Sequence, residues 1–136
     1  MRKFLYLIGI PLGSIACVFV AFLGYIFLWP AASEYFNRMP FDSALWKTEE
    51  MVESEENPVR IKMVNDLMSR YELKGMSRKE IDELLGVPRP KNYFKDVGME
   101  YVYWLGPERR AFSIDSEWLG IKFQNNVVTE AQLLRD

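Results

Sequence analysis

From Phe4 to Trp29 the chain reads "FLYLIGIPLGSIACVFVAFLGYIFLW", without one charged residue. A bilayer core is crossed by roughly 20 predominantly apolar residues in helical form, so this run is long enough to span with some tilt. It is predicted to be a transmembrane helix. A cleaved signal peptide has an apolar region of about 7 to 15 residues and then small residues at its cleavage site. Here the run is longer, and "WPAAS" at 29–33 puts Trp29 and Pro30 where small residues belong. Lipidation at Cys17, which follows "GSIA", would leave "VFVAFLGYIFLW" as further membrane helix at the start of the mature chain. A buried helix of a soluble core is the third alternative, and the length of the run argues against it.

Cytoplasmic flanks of membrane helices carry the excess of Lys and Arg. Arg2 and Lys3 precede the span, whereas the first charge after it is Glu34 and the first basic residue is Arg38. The expected topology places the amino terminus inside, across the cytoplasmic (inner) membrane, with residues 30–136 outside. Removing Arg2 and Lys3 from 17 basic residues leaves 15 against 19 acidic ones, so the outside part carries about −4. Nucleic-acid binders show a basic patch or stripe, and none is expected here. The chain has no histidine, and its one cysteine, Cys17, lies in the apolar run. Disulfides are excluded outside the membrane, and the common zinc and histidine-based catalytic sets lose their ligands and bases. No cofactor and no metal is expected.

Within the span Gly9, Gly13, Cys17 and Ala21 recur at every fourth residue. That spacing lines small side chains on one helix face and would let a second helix approach, which makes these four residues candidates for self-association. In a segment rich in small residues, chance gives the same spacing.

The expected organisation is residues 1–3 in the cytoplasm, 4–29 in the membrane, 30–57 as a tether, and 58–136 as one folded domain. The acidic cluster Glu49, Glu50, Glu53, Glu55 and Glu56 lacks the glycine and the alternating Asp/Asn of a calcium loop and reads as a solvated face. Phe41, Leu45 and Trp46 are expected to dock the tether on the domain. From Val59 the pattern turns helical, with Met63, Val64, Leu67, Met68 and Tyr71 on one face and Arg60, Lys62, Asp66 and Arg70 on the other.

The stretch "LKGMSRKEIDELLGVP", residues 73–88, is punctuated for a second short helix. Ser77 and Glu80 form a capping box, in which the serine oxygen accepts from a free backbone N–H and the glutamate reaches back to the cap residue. Ile81, Leu84 and Leu85 supply the buried stripe, Gly86 the left-handed stop, and Pro88 prevents the helix from resuming. Gly75 suits a turn with positive φ. Two turns of helix do not stand alone, so this one must pack on something.

Residues 99–105, "MEYVYWL", alternate Met99, Tyr101, Tyr103 and Leu105 against Glu100, Val102 and Trp104, and "GPER" at 106–109 is turn chemistry. A second strand runs through "EWLGIKF" at 117–123, with Trp118 and Leu119 on opposite faces and Gly120 marking a bulge or a close approach. Asn125 and Asn126 suit a tight hairpin turn, after which "VVTEAQLL" returns as a third strand. Two helices packed on a three-stranded antiparallel sheet make an α+β domain, preceded by one transmembrane helix.

This order of elements resembles the SmpA/OmlA family, the BamE-like domains of bacterial outer-membrane-protein assembly. The family pattern runs glycine and methionine, Ser or Thr, a short helix ending in paired leucines, then glycine with a proline two residues on. Gly75, Met76, Ser77, Leu84, Leu85, Gly86 and Pro88 match it, and "YWLGPE" and "IDSEWLGIKF" look like the strands of small BamE-like envelope proteins. The resemblance covers roughly residues 58–134. It implies a bacterial envelope protein with a scaffolding or binding role. The assembly-machine member is a lipoprotein at the outer membrane, whereas this chain carries a helical anchor.

The best catalytic set in the sequence is Asp115 with Glu117, joined by Ser113 or Ser116. Residues two apart on a strand point the same way, as an acid–base pair requires. A serine without a histidine or lysine partner is not an activated nucleophile, and acidic residues are ordinary in a turn entering a strand. No catalysis is expected. Aromatic residues are enriched where proteins grip partners, and Tyr93, Phe94, Tyr101, Tyr103, Trp104 and Trp118 concentrate in one loop and two strands. Either Tyr101 and Tyr103 or Trp104 is expected on an open sheet face, beside Arg109 and Arg110, which suit an acidic partner or anionic lipid. The expected function is noncatalytic binding or scaffolding of envelope proteins. The alternative is an inhibitor-like module that caps an extracytoplasmic enzyme.

Overall fold

The computed structural model describes residues 2–52, 58–109 and 114–136, and of residues 2–13 and 49–52 only the helical backbone. Helix α1 runs Arg2–Phe36, α2 Ser43–Val52, α3 Arg60–Arg70 and α4 Arg78–Leu85, followed by strands β1 Tyr101–Pro107, β2 Ser116–Gln124 and β3 Val127–Arg135. The strands form one antiparallel sheet in the order β1-β2-β3. The described residues are therefore α+β with four helices, one of them apolar and N-terminal.

Helix α1 holds the charge-free run and continues through Pro30, whose ring removes one N–H without ending the helix. Within Ser14–Phe36 an 18-residue stretch has a mean hydropathy of 2.2, with none of it buried against the rest of the chain. Such a helix is long and apolar enough for a membrane anchor or a signal sequence. Gly9 and Gly13 lie in the part of α1 described by backbone alone.

The stretch expected as a tether carries structure. Asp42 Oδ1 accepts from the Leu45 N–H, and α2 begins there. Trp46 then enters the core with no exposed surface, edge-on to Phe41 at 5.8 Å and to Tyr103 at 6.0 Å. Ser43 Oγ donates to the Leu84 carbonyl at 2.6 Å and joins α2 to α4. Three helices thus cover the sheet where the sequence led us to expect two, because the acidic residues after Trp46 mask a short amphipathic pattern. Of that cluster, Glu53, Glu55 and Glu56 lie outside the described residues.

Helix α3 buries Ile61, Met63, Val64 and Leu67, while Met68 turns outward. Arg60, expected in solvent, is fully buried. Its Nε donates to the Trp46 carbonyl at 3.0 Å, and its guanidinium lies 5.2 Å from the Trp46 ring and 5.5 Å from that of Tyr103. Guanidinium is weakly hydrated and stacks on aromatic faces, which is why an arginine tolerates this position.

The capping box at α4 is present in both directions: Ser77 Oγ accepts from the Glu80 N–H, and the Ser77 N–H donates to Glu80 Oε2 at 2.7 Å. The bond from Ser77 holds the Glu80 carboxyl below its ordinary pKa. Gly86 ends the helix at φ 76° and ψ 165°, so the stop needs a positive φ but is not the left-handed helical cap expected. Asn125 and Asn126 take φ values of 52° and 61°, the geometry of a tight hairpin between β2 and β3.

Leu119, Ile121 and Phe123 of β2 face the helices together with Tyr103, Leu105 and Val128. On the opposite face Val102, Trp104 and Trp118 form a second cluster with Met99. Met99 precedes β1 and so leaves the alternation expected of it. Five consecutive residues of β2, Glu117–Ile121, are buried. A sheet covered on both faces buries successive residues of its middle strand whichever way they point, Glu117 included.

Candidate functional site

The aromatic residues singled out in β1 divide between the two faces. Tyr103 is fully buried beneath the helices, and its hydroxyl donates to the Gly86 carbonyl at 2.6 Å. Tyr101 is half-buried, packs edge-on against Phe123 at 5.0 Å, and donates to Asp82 Oδ1 at 2.9 Å. Burial and the Asp82 carboxylate raise the Tyr101 pKa, against the opposing pull of Arg78. Both tyrosines fasten α4 to the sheet. Trp104 lies on the other face, at 8% exposure.

What covers that other face is the segment between α4 and β1. Tyr93 stacks on Trp118 at 5.0 Å, Phe94 meets the same ring edge-on at 6.2 Å, and Lys91 Nζ lies 4.9 Å from its centre. Phe94 adopts φ 59° and Gly98 φ 82°, and the Met99 N–H donates to the Phe94 carbonyl at 3.1 Å. These turns fold the segment back on the sheet. The cap is aromatic beneath and exposed above: Val87 is 64% exposed, and Tyr93 and Val97 are 51% exposed. Beside them stand the basic residues Arg89, Lys91 and Lys95 with the acidic Asp96. Trp118 Nε1 is buried with no hydrogen-bond acceptor among the described residues, a cost of about 1 to 3 kcal/mol that the aromatic packing offsets. An aromatic loop lying over a strand is invisible to a period-two reading, although "KNYFKDVG" signals it by composition.

The second cluster is ionic and lies where β1, β2 and α1 meet. Glu117 donates nothing and accepts everything: Arg109 gives it a backbone N–H at 3.1 Å, Nε at 3.1 Å and Nη2 at 2.7 Å. Arg135 Nη2 stands 3.7 Å from its other oxygen, and Arg135 Nε is 3.2 Å from Glu108. Burial of Glu117 favours its protonated form, yet the Arg109 hydrogen bonds and the two guanidinium charges outweigh this and hold its pKa below the ordinary value. Arg109 Nη1 also reaches Glu34 Oε1 of α1 at 3.2 Å, and Asn65 Nδ2 donates to the same oxygen at 2.7 Å. Helix α1 is thereby bonded to the sheet and to α3.

Asp115 and Glu117 therefore do not share an environment. Asp115 is exposed and its backbone carbonyl accepts from the Glu108 N–H at 2.9 Å, while Glu117 is saturated by arginines. Ser113 and Arg110 lie outside the described residues. Cys17 and Ala21 sit side by side on the exposed surface of α1, where they edge a shallow hollow with Ala16 and Val20. Among the described residues no group of three or more His, Cys, Asp or Glu is placed to hold a metal ion.

No protein-family model, no curated protein and no solved structure matches the chain.

Proposed function

We propose that this is a single-pass protein of the bacterial inner membrane, amino terminus inside, whose outside α+β domain binds other envelope proteins without catalysing a reaction. The BamE-like resemblance of residues 58–134 is part of that reading. The observation that carries it is the cap over the second sheet face. Outside α1, Val87, Tyr93 and Val97 place three well-exposed apolar side chains on one loop, beside three basic residues. Exposed aromatics with adjacent cations suit a partner whose surface is apolar and acidic. Trp104 and Trp118 lie beneath this surface and support it, while Tyr101 and Tyr103 serve the opposite face, where they hold α4. Catalysis has no support in the acidic pair, since Glu117 is committed to ion pairs and Asp115 stands apart.

The test is photo-crosslinking in intact cells from a probe at Tyr93, with a second probe at Gln124 in the distant hairpin. A discrete protein adduct from Tyr93 and not from Gln124 is expected. The same products from both probes, or none from either at wild-type protein level, would remove the cap as a binding surface.

A further inference from the structure

The bonds between α1 and the sheet set the height of the domain above the membrane. Trp29 closes the charge-free run, and Glu34 follows five residues later, which at about 1.5 Å per residue is roughly 7.5 Å along the helix axis. The polar layer of a bilayer adds about 5 to 8 Å beyond each side of its hydrocarbon core. Glu34, and with it Arg109, therefore stands at the level of the lipid headgroups. Lower still, Pro30 and Ser33 line one cavity of about 250 Å³ together with Ile61, Lys62, Glu108 and Arg109. No flexible spacer separates the helix from the domain at this point.

The domain has a definite lower end. The chain leaves α1 and rises along α3, because the Met39 N–H donates to the Lys62 carbonyl and the Phe41 N–H to Asp66 Oδ2. The end of the sheet that meets α1 is the one where β1 ends and β2 begins, closed by the bond from the Glu108 N–H to the Asp115 carbonyl. Next to that closing pair is Ile114, 89% exposed, the most exposed large apolar side chain among the described residues. An isoleucine left in water gains nothing, and this one is one residue from Asp115, whose carbonyl is bonded to Glu108 in the wall of the cavity that Pro30 and Ser33 line.

We propose that this end of the domain lies on the bilayer, with Ile114 inserted among the lipids of the leaflet at the carboxyl end of α1, and that the Glu34–Arg109–Glu117 contacts fix the domain in this orientation. The occupant is the bilayer because this end of the sheet meets α1 at Pro30, Ser33 and Glu34, directly after the charge-free run. The proposal rests on the membrane reading of α1, and the experiment separates the two. Full-length protein is labelled with an environment-sensitive fluorophore at one cysteine and placed in nanodiscs that contain lipid with a nitroxide on the headgroup or in the acyl chain. Three labelled forms are compared: the wild type at Cys17, the only cysteine of the chain, and C17S combined with either I114C or Q124C. Gln124 ends the strand that Ser116 begins, about 27 Å away at roughly 3.4 Å per residue.

The expected result is quenching at Cys17 by the acyl-chain nitroxide and at position 114 by the headgroup nitroxide, the latter several-fold stronger than at position 124. Equal, weak quenching at 114 and 124 with Cys17 quenched would overturn the proposal and leave the anchor standing. An unquenched Cys17 would remove the anchor and the proposal together.

Discussion

Arg109 Nη2 and Glu117 Oε2 meet at 2.7 Å in a site where the carboxylate side chain keeps 2% of its exposure. Taking one partner from a buried ion pair leaves a charge without its counterion and costs about 3 to 5 kcal/mol. Arg135 stays near Glu117 at 3.7 Å, so Arg109→Met is expected at the lower end, about 3 kcal/mol. Urea unfolding followed by tryptophan fluorescence measures it. A loss under about 1 kcal/mol, the range of exposed pairs, would mean that water reaches the site.

The same carboxylate gives the domain an acid limit. A group whose folded pKa is depressed adds stability that is complete above its unfolded value, 4.5 for a glutamate, and is lost as pH falls through the lower folded value. Glu117 should thus contribute nothing pH-dependent between pH 5 and 7. Below about pH 4.5 the unfolded chain binds the proton first and stability drops. In Glu117→Gln this part of the acid loss should vanish, leaving a shallower slope in denaturant midpoint against pH. An identical slope in wild type and variant would show that other carboxylates set the limit.

Local punctuation was legible in the sequence where one residue type answers one backbone demand. Ser77 with Glu80, Gly75 at φ 90° and the Asn125–Asn126 turn all do what their chemistry requires. The period-two pattern also separated Trp118 from Leu119. What failed to show were relationships between distant segments. Phe41 and Trp46 do dock on the domain as their apolar character within a polar stretch led us to expect, but no spacing within 30–57 says that Arg60 and Tyr103 receive Trp46 in the core. Arg60 looked solvated because helical periodicity treats every arginine as polar. The covered second face, which buries Trp104, depends on the loop carrying Tyr93 and Phe94 folding back over Trp118, a step that alternation along a strand does not encode.

Loss of the cap at Ser77 should be modest and local. Ser77→Ala removes the acceptor for the Glu80 N–H and half of the capping box, at typically about 1 kcal/mol. Ser77→Asp keeps an acceptor and should recover most of that loss in the same unfolding measurement. Equal instability of both variants would point instead to the hydrogen bond that Ser77 Oγ donates to Glu80 Oε2, which neither alanine nor an ionised aspartate can make.

Two strand glycines should respond unequally to an added methyl group. At Gly120 a Cβ would come 2.4 Å from Leu134 Cδ1 and 3.0 Å from Met99 Sδ, the ends of side chains that can turn away. Gly120→Ala is expected to cost about 1 kcal/mol, the low end for an overpacked site. At Gly106 φ is 145°, and a Cβ would meet the rigid Pro58 ring at 2.9 Å. Backbone strain of about 1 to 3 kcal/mol then adds to the overpacking, so Gly106→Ala should be the more damaging by a clear margin in denaturant midpoint. The reverse order would mean that the junction of β1 with the start of α3 yields more easily than the cluster around Trp118.

Trp46 decides whether residues 30–57 are a tether or part of the domain. It is buried between Phe41 and Tyr103, carries the Arg60 guanidinium on its face, and offers Arg60 its carbonyl. Large-to-small substitution of such a tryptophan costs about 3 to 5 kcal/mol, a sizeable share of the stability of a small domain. Trp46→Ala should therefore destabilise the whole domain and not merely free its amino-terminal arm. Trp46→Phe should cost much less, since it keeps an aromatic ring and removes an indole N–H that is buried without an acceptor among the described residues. Leu45→Ala, one residue earlier and 36% exposed, should stay within about 1 kcal/mol. Parallel urea titrations of the three variants test this order. If Trp46→Ala unfolds with the wild-type midpoint, α2 is an ornament on a domain that begins at α3, and the link from α1 to the sheet rests on Glu34 alone.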